Sequence, residues 1–193
     1  MLENNEIMAL LGRFPGGSWH SKEAPWGRLY LYIYNNLALA IRCVLSSDHK
    51  ATGQQSSALT HLLISDFPDA WSRAFDKYFQ HSQPRWPAYH LDETLWKKNP
   101  KADKHPNIKN PSFTHRVLAE LPKVKYGQTL TYGQMADKIG LRGAARAVGM
   151  SCGKNPLLIV VPCHRIIGSK GWGGFSAGLE LKKILLRHEG FSF

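Results

Sequence analysis

The chain has 193 residues, 43% of them hydrophobic and 20% charged, which is the composition of a globular protein with one domain or two small ones. No segment reaches the apolar length of a membrane span, and the short apolar run after Glu3 and Glu6 lacks the basic flank of a signal peptide. These features argue against a membrane-spanning or secreted protein and predict an intracellular one with no membrane partner.

Positive charge is concentrated in the second half of the chain. The net charge is +11, but residues 1–105 carry 12 Lys and Arg against 10 Asp and Glu, whereas residues 106–193 carry 13 against 4. A field of one sign attracts polyanions, and without a basic amphipathic helix the expected polyanion is nucleic acid. A basic surface that serves only solubility is the alternative, although it usually spreads its charge evenly.

The first half reads as a small α/β unit. Residues 24–47 predict a β-hairpin, because two β-branched and aromatic runs flank the turn signal Asn35-Asn36. Helical spacing follows over 51–64 and 69–80. The stretch 96–111 is rich in Pro, Asn and Lys, which predicts a linker.

The second half predicts a helix-turn-helix. A short helix over 113–121 is followed by Thr131-Tyr132-Gly133-Gln134, a capping box that opens a helix through Lys138. Gly140 breaks that helix, and residues 143–152 form the next one.

The helix over 143–152 consists almost entirely of small residues, with Arg146 as its one long cation. Such a helix can approach DNA closely while Arg146 projects into it. Close packing against a neighbouring helix explains small residues equally well, so both interpretations stay open.

The three cysteines, Cys43, Cys152 and Cys163, are odd in number and have no C-x-x-C spacing, which argues against a disulfide framework and a zinc cluster. Cys163 stands out, because the apolar run 157–161 predicts a buried strand or extended segment that Pro162 ends just before it. Basic neighbours lower a thiol pKa, and His164 and Arg165 follow directly. The alternative is a buried structural cysteine beside a surface histidine.

A last helix is predicted over 177–189, with Gly190 as its C-cap and with an inward stripe of Leu181, Ile184, Leu185 and His188. Glu189 lies in the last turn, where a carboxylate meets the negative end of the helix dipole. A buried partner such as a histidine would explain it.

Six short motifs resemble those of one known family. They are Thr131-Tyr132-Gly133, Ala144-Ala145-Arg146-Ala147-Val148-Gly149, Asn155-Pro156, Val161-Pro162-Cys163-His164-Arg165-Ile166-Ile167, Phe175-Ser176-Ala177-Gly178-Leu179 and Leu186-Arg187-His188-Glu189-Gly190. In this order and spacing, the chain resembles the O6-alkylguanine-DNA alkyltransferases over residues 111–190, and only loosely before them.

The resemblance implies an α+β protein. Its first domain, over residues 1–100, would be a ribonuclease-H-like α/β unit, and a linker would occupy residues 101–111. Residues 112–193 would form a winged helix-turn-helix domain that binds DNA and accepts the alkyl group.

The resemblance also implies catalytic roles. Cys163 would accept the alkyl group, His164 would deprotonate it through a bridging water, and Glu189 would orient His164. Asn155 would tie the active-site turn to the recognition helix. Tyr132 would donate a hydrogen bond or proton to the leaving guanine.

Two further sets of residues follow from the resemblance. The substrate pocket would comprise Tyr132, Leu158, Ile166, Phe175 and Ser176, with the Ser176 N–H facing O6 and the Cys163 and Ile166 carbonyls holding the guanine amino group. DNA would contact Arg146, Ala144, Ala145, Ala147, Gly149 and Arg165, with Arg146 filling the gap left by a flipped nucleotide. Phe175 departs from the family, which usually has tyrosine there.

The implied activity is stoichiometric repair of O6-alkylguanine in double-stranded DNA. Alkyl transfer to sulfur leaves a thioether, which water does not cleave, so each chain would react once. No cofactor and no metal is implied, and a monomer is expected, in the cytoplasm (nucleoid) of a bacterium or the nucleus of a eukaryote. A lesion-binding protein without transfer activity would lack the cysteine, and a winged-helix regulator would not need Tyr132, Asn155 and Glu189 together.

Overall fold

The computed structural model describes residues 16–35, 37–46, 64–91 and 112–192. The chain divides into two compact units, residues 1–90 and 91–193. The helix predicted over 51–64 and the linker predicted over 96–111 lie outside the described residues, except for Ile64, which begins a strand. The domain limits expected from the sequence stay predictions.

The first unit contains a four-stranded sheet. Its strands are β1 (Ser18–Ala24), β2 (Gly27–Tyr34), β3 (Leu37–Leu45) and β4 (Ile64–Asp66), in the order β3-β2-β1-β4. The β1–β2 and β2–β3 pairs are antiparallel, and β4 is parallel to β1. The predicted hairpin is confirmed as β2–β3. Asn35 has a φ of 48°, a left-handed conformation that Asn tolerates in a tight turn.

The core of this unit lies around β2 and the helix α1 (Asp69–Phe79). Four consecutive residues of β2, from Leu29 to Tyr32, are at most 8% exposed, so both faces of the strand are covered. The helix buries Trp71, Ala74, Phe75 and Tyr78, at the spacing predicted from the sequence.

The second unit is built mainly of short helices. Its elements are α2 (Ser112–Glu120), a 3-10 turn (Leu121–Lys123), β5 (Leu130–Thr131), α3 (Tyr132–Lys138), α4 (Ala145–Gly153), a second 3-10 turn (Cys163–Arg165), β6 (Ile166–Ile167) and α5 (Leu179–His188). β5 and β6 pair in parallel, Leu130 with Ile166 and Thr131 with Ile167. This short ladder places the start of α3 beside the chain that follows Cys163.

Local chemistry explains where these helices begin and end. The Thr131 hydroxyl accepts from the Gln134 backbone N–H at 3.2 Å, and the Gln134 side chain accepts from the Thr131 N–H at 2.8 Å, which confirms the capping box. Gly140, with a φ of 74°, follows α3. At the end of α5, Gly190 is left-handed and the Phe191 N–H donates to the Leu186 carbonyl, the six-to-one bond of a Schellman cap.

The four predicted helices of this unit are confirmed, each with ends that differ by no more than two residues from the sequence prediction. The inward face of α5 is rotated relative to that prediction. Leu181 and Leu185 are buried as expected, but Lys182 and Leu186 are buried too, whereas Ile184 and His188 are only half-buried. Among the described helices, none is long and apolar enough to cross a membrane.

Candidate active site

The segment 157–161 forms a buried turn and not the strand or extended segment predicted. All five residues are at most 2% exposed. The Val161 N–H donates to the Leu157 carbonyl and the Val160 N–H to the Leu158 carbonyl, each at 2.9 Å. Ile159 has a φ of 72°, which is strained for a β-branched residue. The sequence prediction was wrong because the backbone groups here find their partners within the turn and on a side chain, not in a sheet.

That side chain is Asn155, which is 4% exposed. Its Oδ1 accepts from the Leu157 N–H at 3.0 Å, while its Nδ2 donates to the Val161 carbonyl at 2.7 Å and to Cys163 Sγ at 3.0 Å. Its backbone N–H donates to the Cys152 carbonyl in α4 at 3.2 Å. Asn155 thus joins the end of α4 to the Cys163 turn, and a donor on sulfur favours the thiolate form.

His164 and Glu189 form a buried pair beside this turn. His164 is fully buried, and its Nε2 lies 2.8 Å from Glu189 Oε1. Because an ionised carboxylate only accepts, the imidazole donates Nε2–H and keeps a lone pair on Nδ1. Nδ1 is buried and has no hydrogen-bond partner among the described residues. Burial lowers the pKa of His164, although Glu189 opposes this. A neutral imidazole can therefore accept a proton at Nδ1.

Arg165 lies in the same cluster. It is 5% exposed, and its Nε and Nη2 donate to Glu189 Oε2 and Oε1 at 2.8 and 2.9 Å. Its Nη1 donates to the Val124 carbonyl at 2.6 Å. A buried guanidinium with these partners is not available to a phosphate, so its position does not support the DNA contact expected from the sequence. Arg165 instead holds the carboxylate that orients His164.

Glu189 is satisfied on both oxygens. Besides His164 and Arg165, the Gly127 N–H donates to Oε2 at 3.4 Å. Burial alone would raise the pKa of Glu189, but the hydrogen bonds and charges of His164 and Arg165 outweigh it and hold this pKa at about 2. The unfavourable helix-end position of the carboxylate is explained by these partners. The histidine was anticipated from the sequence and the arginine was not.

Tyr132 begins α3 on another side of the site. Its hydroxyl donates to the Gly174 carbonyl at 3.1 Å. A Cβ on Gly173, whose φ is 68°, would lie 2.7 Å from the Tyr132 ring, so a side chain there is excluded by both space and conformation. Burial raises the pKa of Tyr132, with a further contribution from Cys152. The phenol therefore keeps its proton and remains a donor.

The other expected pocket residues differ in exposure. Leu158 and Ile166 are buried, whereas Phe175 is half-buried and Ser176 is exposed in the loop before α5. The Ile166 N–H donates to the Cys163 carbonyl, and the Ile166 carbonyl accepts from Lys182 at 2.6 Å. Each of the two carbonyls expected to hold the guanine amino group thus already accepts one hydrogen bond within the protein.

Two small residues, at the N-cap of α4 and within the helix, are packed in the interior. Ala144 and Ala147 are 4% and 2% exposed. A Cβ on Gly149 would lie 3.6 Å from the Tyr132 ring, at ordinary contact distance. Ala144 and Ala147 therefore face the interior of the unit, which favours the packing interpretation for these two residues, whereas Gly149 is half-buried.

The outer face of α4 carries Arg146, which is exposed, and Ala145, which is half-buried. Met150 follows Arg146 by four residues and is 43% exposed, one of two large apolar side chains so exposed in the described part of the chain. Arg146 is thus accessible on this helix, and its contact with DNA stays a prediction. Met150 was missed, although its i,i+4 spacing from Arg146 places both on one helix face.

Lys182 is the second residue that the sequence analysis missed. It is fully buried in α5, and its Nζ donates to the carbonyls of Ile166 and Gly174. Its spacing offered a signal, because it precedes the inward residues Leu185 and Leu186 by three and four positions.

Comparison with known proteins covers the unit that holds this site. Residues 112–191 match the family described as 6-O-methylguanine DNA methyltransferase, DNA binding domain. A methylated-DNA–protein-cysteine methyltransferase of Saccharolobus islandicus is 45% identical over 84 residues, 44% of this chain and 54% of that protein. The chain therefore spans about half the length of that relative.

A protein of the same name from Mycolicibacterium paratuberculosis is 38% identical over 121 residues, 52% of this chain and 73% of that protein. The chain belongs to this family. A crystal structure of Mycobacterium tuberculosis OGT in complex with DNA superimposes with a TM-score of 0.63 at 28% identity, covering 89% of this chain and 92% of that one. This chain thus shares its mixed α/β fold with that family member. Every residue of the site described above lies within residues 112–191, the segment that the family matches.

Proposed function

We propose that the chain repairs DNA by transferring a methyl or other alkyl group from O6-alkylguanine to Cys163. The observation that carries the proposal is the buried arrangement around this thiol. Asn155 donates to the sulfur, and the adjacent His164 is held by Glu189 with its Nδ1 lone pair unused. Family members are named for methyl transfer to a protein cysteine.

The transfer is a displacement at the alkyl carbon. His164 takes the thiol proton at Nδ1 through a water, and the sulfur attacks the carbon. The S–C bond forms, the C–O6 bond breaks, and the electron pair stays with the guanine, which Tyr132 protonates or hydrogen-bonds. The product is a thioether without a polarised carbonyl, so water does not regenerate the thiol and each chain reacts once.

DNA is the proposed partner. The second half carries most of the positive charge, Arg146 is exposed on α4, and the related M. tuberculosis protein was crystallised with DNA. We infer that α3 and α4 are the helix-turn-helix of a winged-helix domain and that the first unit is ribonuclease-H-like. A monomer would act where DNA is held, the bacterial nucleoid or the eukaryotic nucleus.

The decisive experiment mixes the protein with a duplex that contains one O6-methylguanine and records the intact mass and a peptide map. We expect a gain of one methyl group on Cys163 and no second turnover. Cys163→Ala should bind the duplex without gaining mass. Methylation of Cys43 or Cys152, or continued turnover, would contradict the proposal. Binding of the duplex without any change of mass in the parent would indicate a lesion-binding protein instead.

A further inference from the structure

Lys182 connects the nucleophile turn to the loop before α5. Its Nζ donates to the Ile166 carbonyl at 2.6 Å and to the Gly174 carbonyl at 3.0 Å. Ile166 in turn donates its N–H to the Cys163 carbonyl. Gly174 also accepts from Tyr132, and the ammonium lies 5.8 Å from the centre of the Tyr132 ring. One buried cation therefore contacts both sides of the site.

The charge of this cation needs an explanation. An ammonium removed from water is strongly destabilising unless an anion and hydrogen bonds compensate it. Two carbonyls and a ring face supply hydrogen bonds and partial charge, but within the described residues no carboxylate pairs with Lys182. The Cys163 thiol can supply the missing negative charge, because the thiolate is the form of a cysteine that reacts.

We propose that Lys182 is the counter-ion of the Cys163 thiolate and the positioning residue that ties Ile166 to Gly174. The proposal rests on the proposed function in one respect, that the Cys163 thiolate is the nucleophile. A fixed positive charge in a buried site favours formation of the anion, and the two carbonyl bonds keep that charge in place. Lys182 itself does not touch the substrate.

The electrostatics of the site agree with this role. Burial lowers the pKa of Lys182 to about 8, while interactions with Cys163 and Cys152 act in the opposite direction. His164 and the Tyr132 ring are the other titratable groups that face it. Lys182 is therefore largely protonated at neutral pH. Above about pH 8 it loses its charge, and its support for the thiolate weakens.

The test measures the reactivity of Cys163 with iodoacetamide across pH, read by mass spectrometry, so that it needs no DNA. Lys182→Met removes the charge and the donors, whereas Lys182→Gln removes the charge and keeps donors. We expect the midpoint of reactivity to move to higher pH in both variants, with a several-fold slower reaction at pH 7. Lys183→Met is the matched control, because Lys183 is the next residue of α5 and pairs with Glu180 at the surface. Its profile should equal that of the parent.

A reciprocal measurement keeps the proposal testable if the Lys182 variants do not fold. The side-chain NMR signal of Lys182 is titrated in the parent and in Cys163→Ala. If the thiolate is its counter-ion, the Lys182 midpoint falls in the variant, because charge coupling acts equally in both directions. Unchanged midpoints in this experiment, or in both Lys182 variants, would overturn the proposal. Failure of the parent to take a methyl group from DNA would instead refute the proposed function and leave these titrations interpretable.

Discussion

The cationic side chains of the second unit carry the same formal charge but fall into a buried group and an exposed group. Arg165 and Lys182 are buried and donate to groups of the protein itself, whereas Arg146 is exposed on the outer face of α4. The first group sets the protonation and geometry around Cys163, and the second group is available to DNA. Chemistry and DNA contact should respond separately to substitution.

The largest expected effect comes from Glu189→Gln. The variant leaves Arg165 buried without its ionic partner, and breaking a buried pair in this way costs about 3–5 kcal/mol. We expect the free energy of unfolding, measured in urea, to fall by that amount and alkyl transfer to slow, with duplex affinity nearly unchanged. Glu180→Gln is the control on the same helix, since Glu180 is exposed and pairs with Lys183 at the surface, and it should leave stability nearly unchanged. Equal stability of the two variants would show that the buried pair contributes nothing net.

The same pair predicts the response to acid. Since the pKa of Glu189 is held at about 2, below its ordinary value of 4.5, its ionisation stabilises the folded state above pH 4.5, and this stabilisation is lost as the pH falls toward 2. We expect the stability difference between the parent and Glu189→Gln to shrink over this window. Urea unfolding at a series of pH values measures it. A constant difference from neutrality down to pH 2 would assign the stabilisation to packing.

Local signals in the sequence were sufficient for most helices and for part of the site. The capping box at Thr131, the glycine after α5 and the short helix now seen as α2 were each predicted from neighbouring residues, and each is confirmed. The position of Glu189 at the wrong end of the helix dipole was enough to predict a buried partner. These inferences need no knowledge of distant contacts.

The remaining features depend on contacts between distant segments. Residues 157–161 look like a strand, but the Asn155 side chain and backbone bonds within the segment fold them into a turn. From the sequence, Arg165 was expected to contact DNA, but its guanidinium donates to the carboxylate of Glu189, 24 residues later. Lys182 looks like half of a solvated Lys-Lys pair. In each case a tertiary partner overrides the usual behaviour of the residue type.

On the exposed side, Arg146→Ala should affect repair and not stability. Extruding a nucleotide costs a few kcal/mol, which a side chain in the vacated stack partly offsets. We expect repair of duplex O6-methylguanine to slow by about tenfold, because each 1.4 kcal/mol changes a rate tenfold. Reaction with the free alkylated base, which needs no extrusion, should barely change. Arg142→Ala removes another exposed cation and should lower only salt-dependent binding. Equal slowing of both substrates by Arg146→Ala would mean that Arg146 supports the fold or the buried cluster.

The smallest expected effect concerns Phe175, which is half-buried in the loop before α5. The family resemblance predicts that Phe175 lines the substrate pocket, where a phenylalanine would make the wall more apolar than a tyrosine, so longer alkyl groups should be accepted better. We expect Phe175→Tyr to shift the preference between ethyl and methyl lesions toward methyl by less than about fivefold. One methylene in an apolar pocket is worth about 1–3 kcal/mol, and a half-exposed hydroxyl perturbs only part of that. Competition between the two lesions, read as the ratio of alkyl groups on Cys163, measures the shift. Cys163→Ala supplies the blank. An unchanged ratio would show that the ring, and not its missing hydroxyl, sets the preference between the two lesions. The loop before α5 would then contribute to the reaction through the shape of Phe175 and not through its polarity.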